Sequence, residues 1–511
     1  MGAQAKDSHS DRQAPLSTSS EWTFELIETY DREIGLLAEE YKLDTYVNQI
    51  EIIRSEQMLD AYASTGMPIG YNHWSFGKHF VEAEKNYQRG HMGLAYEIVI
   101  NSDPCISYLM EENTMTMQAL VIAHACYGHN SFFKGNYMFR SWTDAGSIVD
   151  YLVFAKQYIA HCEERYGTNA VEELLDSCHA LMNYGVDRYR RPCPVSPEKE
   201  KRLQREREEY VQRNLNDLWR TLPKAKAIDE DAPKKFPAEP EENLLYFIEK
   251  NAPLLEPWQR EIVRIVRKMA QYFYPQRQTQ VMNEGWATFW HYTLLNTLYD
   301  RKMVTDGFMM EFLTSHTSVL TQLPYDHPGY TGINPYALGF AMYSDLRRMC
   351  ENPTDEDRRW FPDIAGANWL EVLHGAMRDF KDESFVLQFL SPKVMRDLRL
   401  FGVVDDDRDE TILVSAIHDD AGYAEVRELL ASQYNIGDKE PNIQVVNVDL
   451  RGDRSLSLQH NQFSRRPMGQ STEQVLKHLH RLWKFPVSLE SRWQGEVAQS
   501  FKIPKDSQDS A

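Results

Sequence analysis

The sequence predicts an α+β protein, with a mainly α-helical core and a small C-terminal βαββαβ domain. Three observations carry that reading. Apolar residues recur at helical spacing from Trp22 to about Arg399, with few strand-like alternations between them. The pattern changes beyond the acidic run Asp405-Asp-Asp-Arg-Asp-Glu410, where short alternating segments take over. The 511 residues exceed what one domain normally holds, and 42% hydrophobic with 12% aromatic content is enough for a large core.

Taken in order, residues 1–20 are polar and have the composition of a disordered tail, with no apolar segment of a secretory signal. Phe24, Leu26, Ile27, Tyr30, Ile34, Leu37 and Tyr41 mark a helix, and residues 50–65 read as a second. The aromatic stretch from Gly66 to Gly77 is loop-like, and its His73 reads as structural rather than as a ligand. Tyr96 to Asn101 is a strand, followed by a short connection and a buried helix over Met115–Phe133 that carries His124 and His129. Further helices follow over 143–166 and 170–190. His179 and Asp187 in the latter are candidates to orient a ligand histidine.

A charged insertion or linker spans about 194–243, including a highly charged helix at 196–214. Pro257 opens a helix to Phe273, and an aromatic-rich helix follows over Gln280–Leu295. Helical pattern continues through Thr305–Leu320, then a Gly/Pro-rich turn at 326–339 leads into another helix. The putting together of these segments gives a core over 21–400, a C-terminal domain over 405–495 and a disordered tail at 496–511. In the C-terminal domain the order of strand, helix, strand, strand, helix, strand is the ferredoxin-like arrangement.

Charge and cysteine usage narrow the function. A formal charge of −20 and a pI near 5.3 argue against nonspecific nucleic-acid binding, which needs a basic face. No apolar run is long enough to span a bilayer. Six cysteines without a Cys-x-x-Cys spacing fit reduced thiols, and the chain is expected to be cytoplasmic.

The chemistry concentrates in two helices. Paired imidazoles on one helix are a common grip for a transition metal. Here the spacing is i, i+5, which on a regular helix parts the two side chains by roughly 140°. They face one ion only if the helix absorbs an extra residue, as a π-bulge does, or ends between them, and Gly128 eases either option. Glu284 lies in an otherwise apolar stretch and needs a partner, so His124, His129 and Glu284 form a candidate metal set with an open fourth position. Zinc is the expected metal, with iron as the alternative that two histidines and a carboxylate also permit. His291, seven residues from Glu284, is about 10.5 Å further along the axis and cannot share the ion. A strand just before a metal-binding helix is the layout of zincin-type metallopeptidases, so the core is expected to be zincin-like. The general base is missing: Ala125 stands where His-Glu-x-x-His has its Glu. Glu111, Glu112 and His291 are candidates for that role, and Tyr336 for stabilising an oxyanion.

Several long strings resemble the stage V sporulation protein R (SpoVR) family. They are Trp-Thr-Phe-Glu at 22–25, Met-Pro-Ile-Gly-Tyr-Asn-His-Trp-Ser-Phe-Gly-Lys at 67–78, Tyr-Glu-Ile-Val-Ile-Asn at 96–101 and His-Ala-Cys-Tyr-Gly-His-Asn-Ser-Phe-Phe at 124–133. Others are Asn-Glu-Gly-Trp-Ala-Thr-Phe-Trp-His at 283–291, Ile-Asn-Pro-Tyr-Ala-Leu-Gly-Phe at 333–340 and Phe-Leu-Ser-Pro-Lys-Val at 389–394. The resemblance implies a sporulation- or stress-linked role and an assembly with a PrkA-type serine kinase and a von Willebrand-like protein. Two functions follow as expectations. One is a zinc-dependent hydrolase of the peptidase or amidase kind. The other is a non-catalytic regulator or scaffold that keeps the polar cluster as a staple.

Overall fold

The computed structural model describes residues 15–63, 70–75, 78, 97–188, 236–325, 327, 329–330, 332–404, 413–462 and 466–504. The charged helix expected at 196–214, the acidic run at 405–410, most of the expected N-terminal tail and the last seven residues lie outside these residues. The class is α+β, as expected. The chain divides into two compact units, Met1–Leu175 with Met269–Glu440, and Asp176–Lys268 with Pro441–Ala511.

The first unit opens with helix α1 (Phe24–Glu40), capped by Thr23, whose side chain accepts from the Leu26 amide. Strand β1 (Asn48–Ile53) and helix α2 (Ser55–Ala63) occupy the segment read as one helix. Ile50, Ile52 and Ile53 explain the difference, because β-branched side chains favour a pleated surface. Strand β2 (Glu97–Ile100) falls where expected. The connection after it is in fact strand β3 (Cys105–Met110), largely buried. The sheet order is β1-β3-β2, with β1 parallel and β2 antiparallel to β3.

Helix α3 (Met115–Val121) runs into a π-helix (Ile122–His129) and then α4 (Asn130–Gly135), all nearly fully buried. Asn130 anchors this run: its amide pairs with both the backbone N–H and C=O of Tyr46. Helices α5 (Tyr137–Trp142), α6 (Ile148–Tyr166) and α7 (Thr168–Ala180) follow.

In the second unit, helix α8 (Leu244–Asn251) buries Glu249, which accepts from Arg264 and Arg267 of helix α9 (Pro257–Gln278). A carboxylate so deep would be costly without those partners.

Helix α10 (Gln280–Asp300) forms the axis of the first unit. Its apolar residues are spread round the helix rather than along one stripe, and most of its length is buried. Around it lie α11 (Asp306–Val319), α12 (Pro335–Glu351), α13 (Asp355–Trp360), α14 (Trp369–Asp379), α15 (Asp382–Phe389) and α16 (Pro392–Asp397). Helices α10 and α12 meet backbone to backbone. A Cβ added at Gly285 would lie 2.4 Å from the Cα of Gly339.

The C-terminal topology differs from the βαββαβ reading. Strands β4 (Gly402–Val404) and β5 (Leu413–Ala416) pair with each other, and with helix α17 (Asp420–Gln433) they belong to the first unit, closed by the short α18 (Ile436–Lys439). The boundary therefore falls at 440/441, not near 405. The second unit holds a four-stranded sheet in simple order: β6 (Asn442–Val448), β7 (Leu456–Asn461), β8 (Val487–Trp493) and β9 (Glu496–Ile503). Only β7–β8 is parallel, joined across helix α19 (Thr472–Trp483). The segment expected to begin a disordered tail at 496 is β9. It is reached by a Gln494-Gly495 turn with both residues at positive φ, the conformation tight hairpins favour.

Candidate metal centre

The π-helix is what assembles the site. Its i→i+5 bonding lays residue i+5 over residue i, so His124 and His129 share one face despite their spacing. Their ring centroids are 4.6 Å apart with planes at 87°. Gly128 lets this widened turn touch α10: a Cβ there would lie 2.6 Å from the Cα of Ala287. Trp286 locks the contact, donating its indole N–H to Ser131 Oγ at 2.9 Å, and that hydroxyl donates to the Gly128 carbonyl.

Glu284, one turn into α10, aims Oε2 at both imidazoles, 3.5 Å from His129 Nε2 and 3.8 Å from His124 Nε2. From the opposite side, Glu97 at the start of β2 brings Oε1 to 3.7 Å from His124 Nε2. The donor atoms of Glu97, His124 and His129 all lie within 4.8 Å of one another. In a tetrahedral site with bonds of about 2.1 Å, neighbouring donors are about 3.4 Å apart. The carboxylate–imidazole spacings of 3.5, 3.7 and 3.8 Å are slightly wider than that, at or beyond the limit of a hydrogen bond. Glu284 Oε2 is buried and meets no hydrogen-bond partner among the described residues. Two imidazole nitrogens with Glu284 beside both and Glu97 beside His124, and with a buried oxygen unsatisfied, fit a divalent cation.

The far side of each ring is held. His129 Nδ1 lies 2.9 Å from Asn283 Oδ1. His124 Nδ1 lies 2.9 Å from His291 Nδ1, and His291 Nε2 is 2.8 Å from His316 Nδ1 on α11. All four histidines are buried. Ligand histidines are characteristically fixed this way through the second nitrogen.

Electrostatics separate the two acids. Burial pushes the Glu97 carboxyl up, only partly offset by His124. Burial also acts to raise Glu284, but His129, His124 and the Tyr336 hydroxyl outweigh it and hold that carboxyl below its ordinary value. Among the histidines, burial holds His129 down to about 4 and His291 well below its usual range, whereas the two carboxylates outweigh burial at His124 and raise it.

The centre opens into a cavity of about 450 Å³. Phe133, Phe273 and Val99 give it apolar walls, Gln276, Arg277 and Gln280 give it polar ones, and Tyr336 stands at the first turn of α12 beside Glu284. The Tyr336 ring lies nearly parallel to that of His124, with centroids 6.5 Å apart.

Of the residues singled out by sequence, His124, His129, Glu284 and Tyr336 come together here. His291 stands behind His124, away from the Nε2 side that Glu97 and Glu284 face, so it is misplaced as a base. Glu112 is exposed and accepts from the Ser55 amide at the start of α2, while Glu111 pairs with Arg54. Neither belongs to the site. His73 is buried, with Nδ1 2.6 Å from Ser75 Oγ. Asp187 lies in the second unit and accepts from Asn243. Sequence reasoning missed Glu97 and His316. Glu97 carried a usable signal, as the lone acid in an apolar strand whose alternate residue Val99 faces the same cavity. His316, in a polar helical stretch, carried none.

Comparison with known proteins bears on the whole chain. The family model described as SpoVR like protein matches residues 21–439, and that described as SpoVR-like C-terminal domain matches 441–493. The junction between them coincides with the unit boundary at 440/441. A protein of Escherichia coli strain K12, described as uncharacterized protein YcgB, is 65% identical over 480 residues, 93% of this chain and 94% of the relative. No solved structure matches.

Proposed function

The chain belongs to the SpoVR family, and from that premise we propose a metal-dependent hydrolase acting on a carbonyl substrate of the peptide or amide class. His124, His129 and Glu284 hold the metal, and Glu97 is the general base. The observation that carries this reading is Glu97 itself. It brings from a separate strand the acid that the His124-Ala125 sequence lacks, and burial keeps that acid ready to take a proton.

A bound zinc ion supplies a Lewis acid for the carbonyl and lowers the pKa of a water toward ~7. The protein does the rest. Asn283 and His291 aim the two imidazoles, and Glu284 keeps its negative charge toward them. Glu97 receives the proton from the attacking water and returns it to the leaving amine. Tyr336 donates its hydroxyl toward the charge that develops on the carbonyl oxygen. The cavity's aromatic and amide walls suit a chain with both apolar and peptide-like groups.

Elemental analysis of the full-length protein, purified without chelator or polyhistidine tag, is the test. The expected result is one metal per chain, lost in His124→Ala/His129→Ala and in Glu284→Ala. Full occupancy in those variants overturns the ligand set. Iron rather than zinc would favour oxidative chemistry at the same residues, since two histidines with a carboxylate also suit non-haem iron. No metal after reconstitution would leave a buried polar cluster in a non-catalytic regulator that assembles with a PrkA-type kinase and a von Willebrand-like protein.

A further inference from the structure

Each N···N contact in the row His124–His291–His316 accommodates a single proton between its two nitrogens. When His124 Nε2 gives its lone pair to a cation, its proton must sit on Nδ1, and it donates to His291 Nδ1 across 2.9 Å. His291 then carries its own proton on Nε2 and donates to His316 Nδ1 across 2.8 Å. His316 in turn must be protonated on Nε2. The direction of every bond is fixed by the first. The partner ligand His129 has a simpler arrangement, because Asn283 Oδ1 can only accept and so fixes the Nδ1–H tautomer by itself. His291, by contrast, can donate or accept at Nδ1. It accepts only if something holds its proton at Nε2, and His316 Nδ1 is the group placed to do so.

We propose that His291 and His316 are positioning residues that together lock His124 as the Nδ1–H tautomer, presenting Nε2 to the metal. The row's alternative direction places a proton on His124 Nε2, toward Glu97 and Glu284, where it blocks coordination. His316 therefore acts on the centre from α11 through two side chains, without touching it. Packing supports a fixed ring. His316 is buried, stacks on Tyr292 with centroids 4.8 Å apart and lies edge-on to Phe340. His291 is wedged edge-on against Phe312. This inference rests on the metal-site reading, and the test separates the two.

Full-length protein is loaded with Co²⁺, and its affinity and the exchangeable, paramagnetically shifted imidazole N–H protons are recorded. The wild type is expected to show two such protons, from Nδ1–H of His124 and of His129. His291→Leu is expected to weaken Co²⁺ binding about 10–100-fold, the usual cost of losing a histidine's outer partner. It should also remove or rapidly exchange one N–H signal and leave the other. His316→Leu should weaken binding several-fold. His316→Gln, whose carbonyl still accepts from His291 Nε2–H, should restore most of it. A structural role alone would not produce that rescue together with selective loss of one signal. If His291→Leu and His316→Leu bind Co²⁺ as the wild type does, with both signals intact, the positioning role is overturned while the metal site stands. If the wild type takes up no Co²⁺, both are overturned. Should His291→Leu fail to fold, the His316→Leu and His316→Gln pair decides alone.

Discussion

Glu97 and Glu284 face the same imidazoles, and their carboxyl groups are shifted in opposite directions. The imidazoles of His129 and His124 hold the Glu284 carboxyl below its ordinary pKa against burial, the direction that suits a ligand, whereas burial raises the Glu97 carboxyl, the direction that makes it a better proton acceptor. Glu97→Gln is therefore expected to retain at least half of the bound metal while lowering any peptide or amide hydrolysis by 10²-fold or more, a base's usual contribution. Metal content measured beside turnover would separate the roles, and equal loss of both would make Glu97 a ligand. The buried histidines also set a pH dependence. His129 and His316 are held down to about 4 by burial, from 6.5. Between those values the unfolded chain binds more protons, so their contribution to stability is complete above 6.5 and is lost as pH falls through 4. Urea unfolding of the metal-free protein should show the midpoint falling over that window, and His316→Asn should flatten the slope.

At the scale of elements, the centre depends on two close approaches and one cap. Gly128 against Ala287 and Gly285 against Gly339 leave no room for a methyl group. Gly128→Ala or Gly285→Ala should cost about 1–3 kcal/mol or more by overpacking, read as a fall in the denaturation midpoint, with weaker metal binding because His129 and Glu284 sit beside the displaced backbone. Asp382, at the start of α15, accepts from the Val281 and Met282 amides and so caps α10 from a distant part of the chain. Asp382→Ala should cost about 1–2 kcal/mol, measurable in the same titration. Much of this was legible beforehand. The i, i+5 spacing with Gly128 required a widened or interrupted helix, and a π-helix is what forms. The isolated acid in the aromatic stretch at 280–295 pointed to Glu284. What was not legible depended on pairing across the chain. Cys105–Met110 reads as a connection until β1 and β2 flank it, and the 413–433 strand and helix mimic the start of a ferredoxin-like unit until Gly402–Val404 claims the strand. Asp382 shows no sign of capping anything a hundred residues away.

For the whole molecule, the three proposed ligands and Glu97 all belong to the first unit, on the π-helix, α10 and β2. A cation held by His124, His129 and Glu284 would tie together two elements remote in sequence, and at a concentration one hundred times Kd it would add about 2.7 kcal/mol to their stability. Hydrogen exchange followed by mass spectrometry is expected to show added protection on metal loading at 122–129 and 280–291, and none in the sheet at 442–503. Uniform protection across both units would contradict a site confined to the first.

The division of the chain has a consequence for biosynthesis. His129 and Glu284 are 155 residues apart (284 − 129), and the residues between them include the whole first segment of the second unit, 176–268. At roughly 5–20 residues per second, a ribosome needs about 8–30 s to cross that interval. For that time the nascent chain carries both histidines and the apolar faces of the π-helix with the helix that covers them still unmade. The metal centre is thus completed only after the midpoint of translation, and its loading waits for the helix that carries Glu284.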